Sequence, residues 1–547
     1  MTGKKANEER YLMSTENKNL EQVLWDSANV MRQTMGAADY MDYALGLIFY
    51  KHLSDKTLET AATVLVDGGE VAEAEVATEA RRQAVYQKYY DDPAYQEDLL
   101  KSMDMDYVIK PQFTFTALVE EINEQTFQLE HLNQGFTDLE QSNTTLLEHL
   151  FDDVDLHSTK LGSTPQRQND LIADVMKALA PLNLDSHSGD ILGDAYEYLI
   201  SNFASDMGQK AGEFYTPQSV STLLARIVTR GQEGKRGFAA YDPAMGSGSL
   251  LLNVRKYVEK ADSIDYYGQE IKTSTYNLAR MNMIIHGISA TKQQLRNADT
   301  LDTDWPADEI TDFDGVLMNP PYSQKWSANK DFLTDTRFAD YGVLPPKSKA
   351  DYAFLLHGLY HLKATGTMGI VLPHGILFRG GTEGKIRQKL LEKGFIYAVI
   401  GLPAGLFYST GIPTTIVVLK KERPGRDVLF IDASKEFVKE KTQSLLTKDN
   451  IERIFKAYTE RKDEDKFCHV ASFDEIVEND YNLNIPRYVD TFEPEPDIDL
   501  GELNKELSKT NDELAANEKE LLAMIQQLTT TDEKKEKDLQ DFLKLFD

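Results

Sequence analysis

The chain has 547 residues and carries 59 lysines and arginines against 89 aspartates and glutamates, which gives a formal net charge of −30. Its composition, 41% hydrophobic and 27% charged, is that of a globular protein with ample material for a buried core. The single cysteine, Cys468, excludes an intramolecular disulfide and a cysteine-rich zinc site. No apolar run approaches the ~20 residues of a membrane span, and no basic-then-apolar leader is present, so we expect a cytoplasmic protein with no membrane partner.

The first part of the chain, residues 1–165, has the pattern of a helical domain. Residues 20–53 carry apolar side chains at helical spacing and contain no proline. Residues 83–107 are polar and rich in tyrosine, and residues 118–151 again look helical. We interpret this region as an accessory domain with a solvated acidic surface.

The middle part, residues 166–480, alternates short apolar runs with helix-like segments such as residues 247–260 and 273–286. This alternation predicts an α/β domain with a doubly wound, mostly parallel sheet. Pro424 and Gly425 separate the last two strands, so we expect these strands to form a hairpin with an antiparallel edge strand. The seven predicted strands are Phe238–Tyr241, Asp265–Gln269, Gly315–Met318, Met368–Leu372, Ile396–Leu402, Thr415–Leu419 and Val428–Ile431.

The last part, residues 481–547, contains leucines at every seventh position: Leu507, Leu514, Leu521 and Leu528. Leucines in heptad register predict a helix that buries one stripe against another helix. That second helix belongs either to the chain itself or to a partner protein.

A turn of small residues follows the first predicted strand and opens a helix. Small residues let the backbone approach a ligand, and a nucleoside ligand lies beyond the carboxyl end of such a strand. Asp242 at its start either orients the amides of the turn or accepts a hydrogen bond from an amino group of the ligand. The expected ligand-binding residues of this turn are Asp242, Ala244, Gly246, Ser247 and Gly248.

Glu270 ends the next predicted strand, 28 residues after Asp242. A carboxylate there can accept two hydrogen bonds from ribose hydroxyls. A metal-dependent nuclease site is disfavoured, because no well-spaced acidic partner lies on a neighbouring hairpin. His357 and His361 lack the glutamate of a zinc-protease helix, since Gly358 follows the first histidine. We expect no metal.

The third motif, Asn319-Pro320-Pro321-Tyr322, follows a buried strand and carries the most specific chemistry. Prolines stiffen the backbone and remove N–H donors, so the carbonyls of Asn319 and Pro320 can both accept from one –NH₂ group. Holding both hydrogens of adenine N6 frees its lone pair for attack on a sulfonium methyl. Tyr322 supplies a face on which a flipped base can stack.

These motifs resemble the amino-methyltransferases, which place a Phe/Tyr-Thr-Pro element before the glycine turn. Here that element is Gly212-Glu213-Phe214-Tyr215-Thr216-Pro217. The chain is still more similar to the modification subunits of type I restriction-modification systems. That resemblance also covers the helical N-terminal region, Gly401-Leu402-Pro403, Leu406-Phe407-Tyr408, Gly411-Ile412-Pro413-Thr414-Thr415, Phe430-Ile431-Asp432-Ala433, Asn482-Leu483-Asn484-Ile485-Pro486-Arg487-Tyr488 and the C-terminal helix.

The resemblance implies a Rossmann-like methyltransferase sheet, S-adenosylmethionine as methyl donor and double-stranded DNA as substrate. It also implies a complex of two such chains with one specificity subunit, to which a restriction subunit is added. By position, Glu213, Phe214, Tyr215 and Thr216 cover the methionine part of the cofactor. Asp299 accepts from the amino group of its adenine, and Phe407 or Tyr408 either stacks on the target base or is a packed strand end.

A partner that reads the DNA sequence would explain the acidic composition, because DNA binders usually carry basic patches. The segment 323–350 holds Lys325, Lys330, Arg337, Lys347 and Lys349. It either closes over DNA or is a disordered surface loop. The sequence contains no Gly-x-x-x-x-Gly-Lys-Ser/Thr phosphate-binding loop, so any ATP-driven translocation in such a system must be the work of another subunit.

Two other functions remain open. The Asn-Pro-Pro-Tyr motif also serves enzymes that methylate protein glutamine, although those chains are typically short and lack the flanking helices. A degenerate scaffold without catalysis is disfavoured by the intact Asp242, Glu270 and Asn319. Methylation of cytosine N4 is disfavoured as well, because enzymes of that kind usually carry serine at the first motif position, where this chain has Asn319.

Overall fold

The computed structural model describes residues 20–103, 107–182, 184, 189–207, 215–302, 312–407, 411–440, 443–492 and 499–544. The chain forms two compact units, Met1–Asp490 and Thr491–Asp547. None of the helices in these ranges has the length and apolar character that a bilayer span requires. The expected α/β fold with helical regions at both ends is confirmed.

Helices form the part of the first unit that precedes the sheet. Side-chain caps begin several of them: Thr164 accepts from the Arg167 N–H, with proline at the first helical position, and Asp92 caps in the same way. After a helix over residues 20–28, the segments are α1 Ala37–Asp67, α2 Glu79–Tyr89, α3 Pro93–Ser102, α4 Phe115–Glu124, α5 Leu129–Ser142, α6 Thr144–Leu147, α7 Pro165–Leu179 and α8 Gly189–Met207.

A nine-stranded sheet forms the centre of the first unit, with the order β11-β8-β6-β7-β5-β4-β1-β2-β3. All strands are parallel except β7 and β11. The strands are β1 Ala239–Asp242, β2 Asp265–Glu270, β3 Gln293–Asn297, β4 Phe313–Met318, β5 Leu362–Pro373, β6 Ile396–Gly401, β7 Thr414–Leu419, β8 Val428–Asp432 and β11 Cys468–Ala471. A separate hairpin pairs β9 Val438–Glu440 with β10 Gln443–Leu445.

The predicted hairpin of β7 and β8 is wrong. Strand β7 lies between β5 and β6 and is antiparallel to both, while β8 pairs in parallel with the other side of β6. All six residues of β7 are buried, and a strand without an exposed face needs neighbours on both sides. The antiparallel edge strand of the sheet is β11, which pairs with β8.

Helices cover both faces of the sheet. One face packs against α9 Gln218–Thr229, α10 Ser249–Asn253 and α14 Lys448–Glu460. The other packs against α12 Asp351–Tyr360, α13 Gly381–Glu392 and α15 Phe473–Glu478. Because both faces are buried, the accessible parts of the central strands are their ends.

Helix α11, Thr273–Ile285, joins the N-terminal helices to the sheet. Its Leu278, Met281 and Ile284 belong to the core of the helical region, whereas Ala279 and Met283 face the sheet side. The buried Arg280 donates to the carbonyls of Leu146, at 2.6 Å, and Glu148, at 3.0 Å. The two parts are therefore packed into one compact unit.

The second unit contains α16 Leu500–Ile525 and α17 Glu533–Leu543. Asp499 caps α16 by accepting from the N–H groups of Gly501 and Glu502. No residue of α16 is buried, and its heptad leucines are 47–64% exposed.

We predict that Arg280→Ala lowers the free energy of unfolding by about 2–4 kcal/mol, because the buried Leu146 carbonyl and the partly buried Glu148 carbonyl lose a charged donor. Urea denaturation of the full chain measures this. The matched control is Arg230→Ala, whose side chain is 52% exposed and pairs with Glu233 within one turn. Equal stability of the two variants would contradict the role of Arg280 as a joint.

Candidate active site

The glycine turn lies between the buried strand β1 and α10. Gly246 and Gly248 have φ angles of 55° and 79°, which lie in the left-handed region that favours glycine. Asp242 ends β1 and is buried, and its Oδ1 accepts from the Ala244 N–H at 2.9 Å. Burial raises the pKa of Asp242 well above its usual range, and the nearby Glu270 raises it further.

Glu270 braces the same turn from the end of β2. Its Oε2 accepts from the Gly246 N–H at 3.2 Å, and its Oε1 accepts from the Lys272 N–H at 2.9 Å. Burial raises its pKa, although these N–H groups oppose the effect. Each oxygen still has a lone pair for a ligand hydroxyl.

Asn319 lies at the end of β4, next to β1, with its side-chain amide held from both ends. Its Nδ2 donates to Thr216 Oγ1 at 3.1 Å, and its Oδ1 accepts from the Tyr322 hydroxyl at 2.6 Å. Both partners are hydroxyl groups, which can donate or accept, so the two contacts hold the amide in place at the end of β4. A carbonyl oxygen has two lone pairs, so Oδ1 can accept from one more donor.

Two cavities meet at Asn319. The larger has a volume of about 500 Å³, in the range of small-molecule sites. The smaller lies under Tyr215 and Thr216 and reaches Asp242, Ala244, Gly246 and Ser247. The predicted residues that line the larger cavity are Ala244, Glu270, Asp299, Asn319 and Pro321.

Other predicted residues lie beside the cavities. Gly248 lies against α11, where an added Cβ would stand 3.4 Å from Met283 Cε, and Pro320 is buried. The ring of Phe407 is buried and stands edge-on to Tyr322, with centroids 6.2 Å apart and planes at 78°. Glu213, Phe214 and Tyr408 lie outside the described residues.

The sequence analysis missed the apolar lining of the larger cavity. Ile271 is 59% exposed beside Glu270, and Phe354 on α12 and Trp326 line the same space. An isoleucine directly after the carboxylate that ends β2 is a signal that sequence reasoning could have used. Trp326 follows the Asn-Pro-Pro-Tyr motif by only four residues, whereas Phe354 comes from the more distant α12 and gave no signal.

The segment 323–350 is packed onto the core, so its interpretation as a disordered loop is wrong. Trp326 is buried and stacks on Phe332, with centroids 5.5 Å apart. Arg337 is also buried, where it pairs with Asp335 and donates to the Thr300 carbonyl at 3.1 Å. Of its five basic side chains, three are exposed, Lys349 is half-buried and Arg337 faces inward.

His357 on α12 is an interior residue, as expected. The ring lies 2.7 Å from the Tyr241 hydroxyl and 3.2 Å from Arg337 Nη1. Burial lowers its pKa well below the usual value. This neutral ring links the segment 323–350 to the strand that carries Asp242.

Family models and relatives agree with this geometry. The N-6 DNA methylase model matches residues 187–497, and the HsdM N-terminal domain matches residues 20–179. The type I restriction enzyme MpnII methylase subunit of Mycoplasma pneumoniae is 37% identical over 546 residues, which cover 94% of this chain and 96% of that protein. The MjaVII methylase subunit of Methanocaldococcus jannaschii is 31% identical, over 90% of this chain and 82% of that one.

A solved structure is similar over most of the chain. It is the methyltransferase subunit of the type I restriction-modification system of Streptococcus thermophilus, with 59% identity and a TM-score of 0.83. The match covers 87% of this chain and all of that one. Taken with the family models, these relatives establish that the chain belongs to the N-6 DNA methylase family, among the methylase subunits of type I restriction-modification systems.

Proposed function

We propose that this chain transfers the methyl group of S-adenosylmethionine to the N6 of adenine in double-stranded DNA. The observation that carries the proposal is the position of Asn319, which lines both cavities and whose amide contacts the hydroxyls of Thr216 and Tyr322. In a restriction-modification system this reaction protects host DNA from restriction. We assign it to residues 166–480, with residues 1–165 as the helical domain and residues 481–547 as the tail for subunit contact.

We assign the two cavities to the two ends of S-adenosylmethionine, which supplies the electrophilic methyl group when bound. In the larger cavity, Glu270 accepts from the ribose hydroxyls, and Asp299 accepts from the adenine amino group. Asp299 Oδ1 is engaged by the Leu301 N–H at 2.9 Å, which leaves Oδ2 available. The smaller cavity holds the methionine part, near Asp242 and under the element Glu213, Phe214, Tyr215 and Thr216. Ala244, Gly246, Ser247 and Gly248 form the turn between the two ends.

Catalysis in this site depends on positioning the reacting groups and on electrostatic stabilisation of the transition state. Asn319 Oδ1 and the Pro320 carbonyl accept the two hydrogens of the target amino group, so that its nitrogen lone pair points at the methyl group. Pro321 keeps the backbone rigid and offers no competing N–H. Tyr322 and Phe407 or Tyr408 hold the flipped adenine. Because the rings of Tyr322 and Phe407 are nearly perpendicular, a base stacked on one meets the edge of the other.

Partner subunits account for the acidic charge of −30. We propose that two copies of this chain bind one specificity subunit, which reads the DNA, and that a restriction subunit joins the complex. The exposed leucines of α16 supply an apolar stripe for helices of the specificity subunit. A lone chain would then bind DNA poorly.

The decisive experiment is methyl transfer to double-stranded DNA by the chain co-expressed with a specificity subunit, compared with the chain alone. We expect N6-methyladenine only from the complex. Asn319→Ala should lower the rate by about two to three orders of magnitude, because one preorganised acceptor is lost, while S-adenosylmethionine still binds.

The matched control is Asn329→Ala, an exposed asparagine on the segment 323–350, which should remain active. Activity of the lone chain would show a DNA-reading surface within it. Cofactor binding without any methylation of DNA would favour a protein substrate, and neither binding nor transfer would favour the scaffold.

A second prediction concerns Asp351, which holds the turn after the Asn-Pro-Pro-Tyr motif. The buried Asp351 accepts from the Ser323 N–H at 2.7 Å and pairs with Arg379 at 2.6 Å. Ser323 has a φ angle of 54°, a conformation that a serine keeps only when its surroundings hold it. Asp351 is therefore a positioning residue for Asn319 and Tyr322.

Asp351→Ala should lower the methylation rate by about 10²-fold, because displacing reacting groups by about 1 Å has that effect. Asp351→Asn keeps an acceptor for Ser323 and should retain most of the activity. Single-turnover kinetics and cofactor affinity separate the two effects, since cofactor affinity should change little in either variant. Equal rates for the Ala and Asn variants would refute the positioning role.

The apolar stripe of α16 gives a third prediction. Leu507→Glu with Leu514→Glu should abolish co-purification of the specificity subunit, because two charges would enter an apolar contact. Ala516→Glu with Ala523→Glu adds the same charge on the opposite side of the helix and should leave the complex intact. Unchanged co-purification of the leucine variant would place the contact elsewhere on the chain.

A further inference from the structure

Three potential metal ligands meet away from the cofactor cavities, where α8 packs near the end of α11. They are Asp194 and Glu197 on α8 and His286, which follows α11. One ligand atom from each lies within 4.8 Å of the others. They line a cavity of about 300 Å³, together with Asn253, Arg255 and Lys256 among other residues.

The ring of His286 is oriented as in metal-binding histidines. Its Nδ1 lies 2.9 Å from the Asn282 carbonyl, which can only accept, so Nδ1 carries the proton. The lone pair of the neutral ring is therefore on Nε2. Nε2 lies close to α8, because a Cβ atom added to Gly193 of that helix would stand 2.5 Å from it. A backbone carbonyl that fixes the free nitrogen toward a ligand is the usual second partner of a metal-bound histidine.

Glu197 is the second buried member of the cluster. Its side chain is 7% exposed, and among the described residues no donor hydrogen-bonds to its Oε1. Gln218 Nε2 lies 3.4 Å from its Oε2, and the Ser249 hydroxyl also interacts with the carboxylate. A buried carboxylate oxygen without a donor is costly, so this atom calls for a cation or a proton.

Asp194 completes the set at the surface. Its Oδ1 pairs with Lys256 Nζ at 3.1 Å, and its side chain is 42% exposed. Oδ2 is then available to a second cation. Arg255 is turned to the backbone of His286, where its Nη1 donates to the carbonyl at 2.9 Å. Lys256 therefore faces both carboxylates, and one lysine stands against the two negative charges of Asp194 and Glu197.

We propose that Asp194, Glu197 and His286 bind one divalent transition-metal ion that fastens α8 to α11. One imidazole nitrogen and two carboxylate oxygens form a ligand set suited to Zn²⁺ or Co²⁺ rather than to Ca²⁺, which takes six or more oxygens. The ion has a structural role. It replaces the proton that Glu197 would otherwise need, and it fixes α8 to α11 and thereby to the core. The site is independent of methyl transfer.

The test uses the full chain, prepared without a histidine tag, treated with EDTA and dialysed against Zn²⁺ in excess Mg²⁺. We expect one Zn²⁺ per chain by elemental analysis, visible absorption bands after replacement by Co²⁺, and a melting temperature that rises with added Zn²⁺. Asp194→Asn should weaken Zn²⁺ binding by at least about tenfold and abolish the rise in melting temperature. Asp194 is the ligand to substitute because its side chain is half-exposed, so the variant should still fold. Glu197→Gln and His286→Gln would instead alter the protein interior.

Asp206→Asn is the matched control, because Asp206 lies on the same helix and pairs with Arg32 at the surface. It should bind Zn²⁺ as the wild type does. The proposal is overturned if the wild type retains no more Zn²⁺ than Asp194→Asn. It is also overturned if added Zn²⁺ raises the melting temperature of the wild type no more than that of Asp194→Asn.

Discussion

The Asn319 amide is held in place by two hydroxyl groups, because its Nδ2 donates to Thr216 Oγ1 at 3.1 Å and its Oδ1 accepts from Tyr322 at 2.6 Å. Thr216 lies with Asp242 and Asn319 around the smaller cavity, at the ends of β1 and β4, which are neighbours in the sheet. The buried helices on both faces leave those strand ends as the accessible part of the sheet. The sheet therefore brings the glycine turn, Glu270 and Asn319 together, and the two hydroxyl contacts hold the amide of Asn319 among them.

Most of the sheet was predictable because its strands are apolar and its turns carry glycine and proline. The two missed strands have weaker patterns: β3, Gln293–Asn297, is only half-buried at one edge, and β11, Cys468–Ala471, is a short strand at the other. The mistaken hairpin had a different origin. Pro424 and Gly425 indicate a turn correctly, but a turn does not specify which strands pair. The complete burial of β7 is the better guide, since it demands a central position.

The candidate site residues Asp242, Glu270 and Asn319 were predictable in kind because each lies at or directly after the end of a strand, in a short motif. The residues that support them were not predictable, because they come from distant segments. Asp351 lies 28 positions after the Ser323 amide that it holds, and Arg379 lies another 28 beyond it. Phe354, which lines the larger cavity from α12, is likewise distant from Asn319 in the sequence. Short motifs thus indicate the candidate site residues, whereas the fold shows which side chains hold them in place.

Few basic side chains are buried next to the two cavities in the part of the chain that the structure describes. Arg337 is one that is buried: it is 2% exposed and contacts Asp335, the Thr300 carbonyl and the neutral ring of His357. Thr300 in turn donates to the Pro243 carbonyl at 2.6 Å, in the turn that follows Asp242. A buried cation of this kind is costly unless every donor is engaged, so its value lies in specifying one arrangement of the segment over the cavity. Arg337, one of the basic residues by which the sequence suggested a contact to DNA, thus holds the segment 323–350 against the turn that follows Asp242.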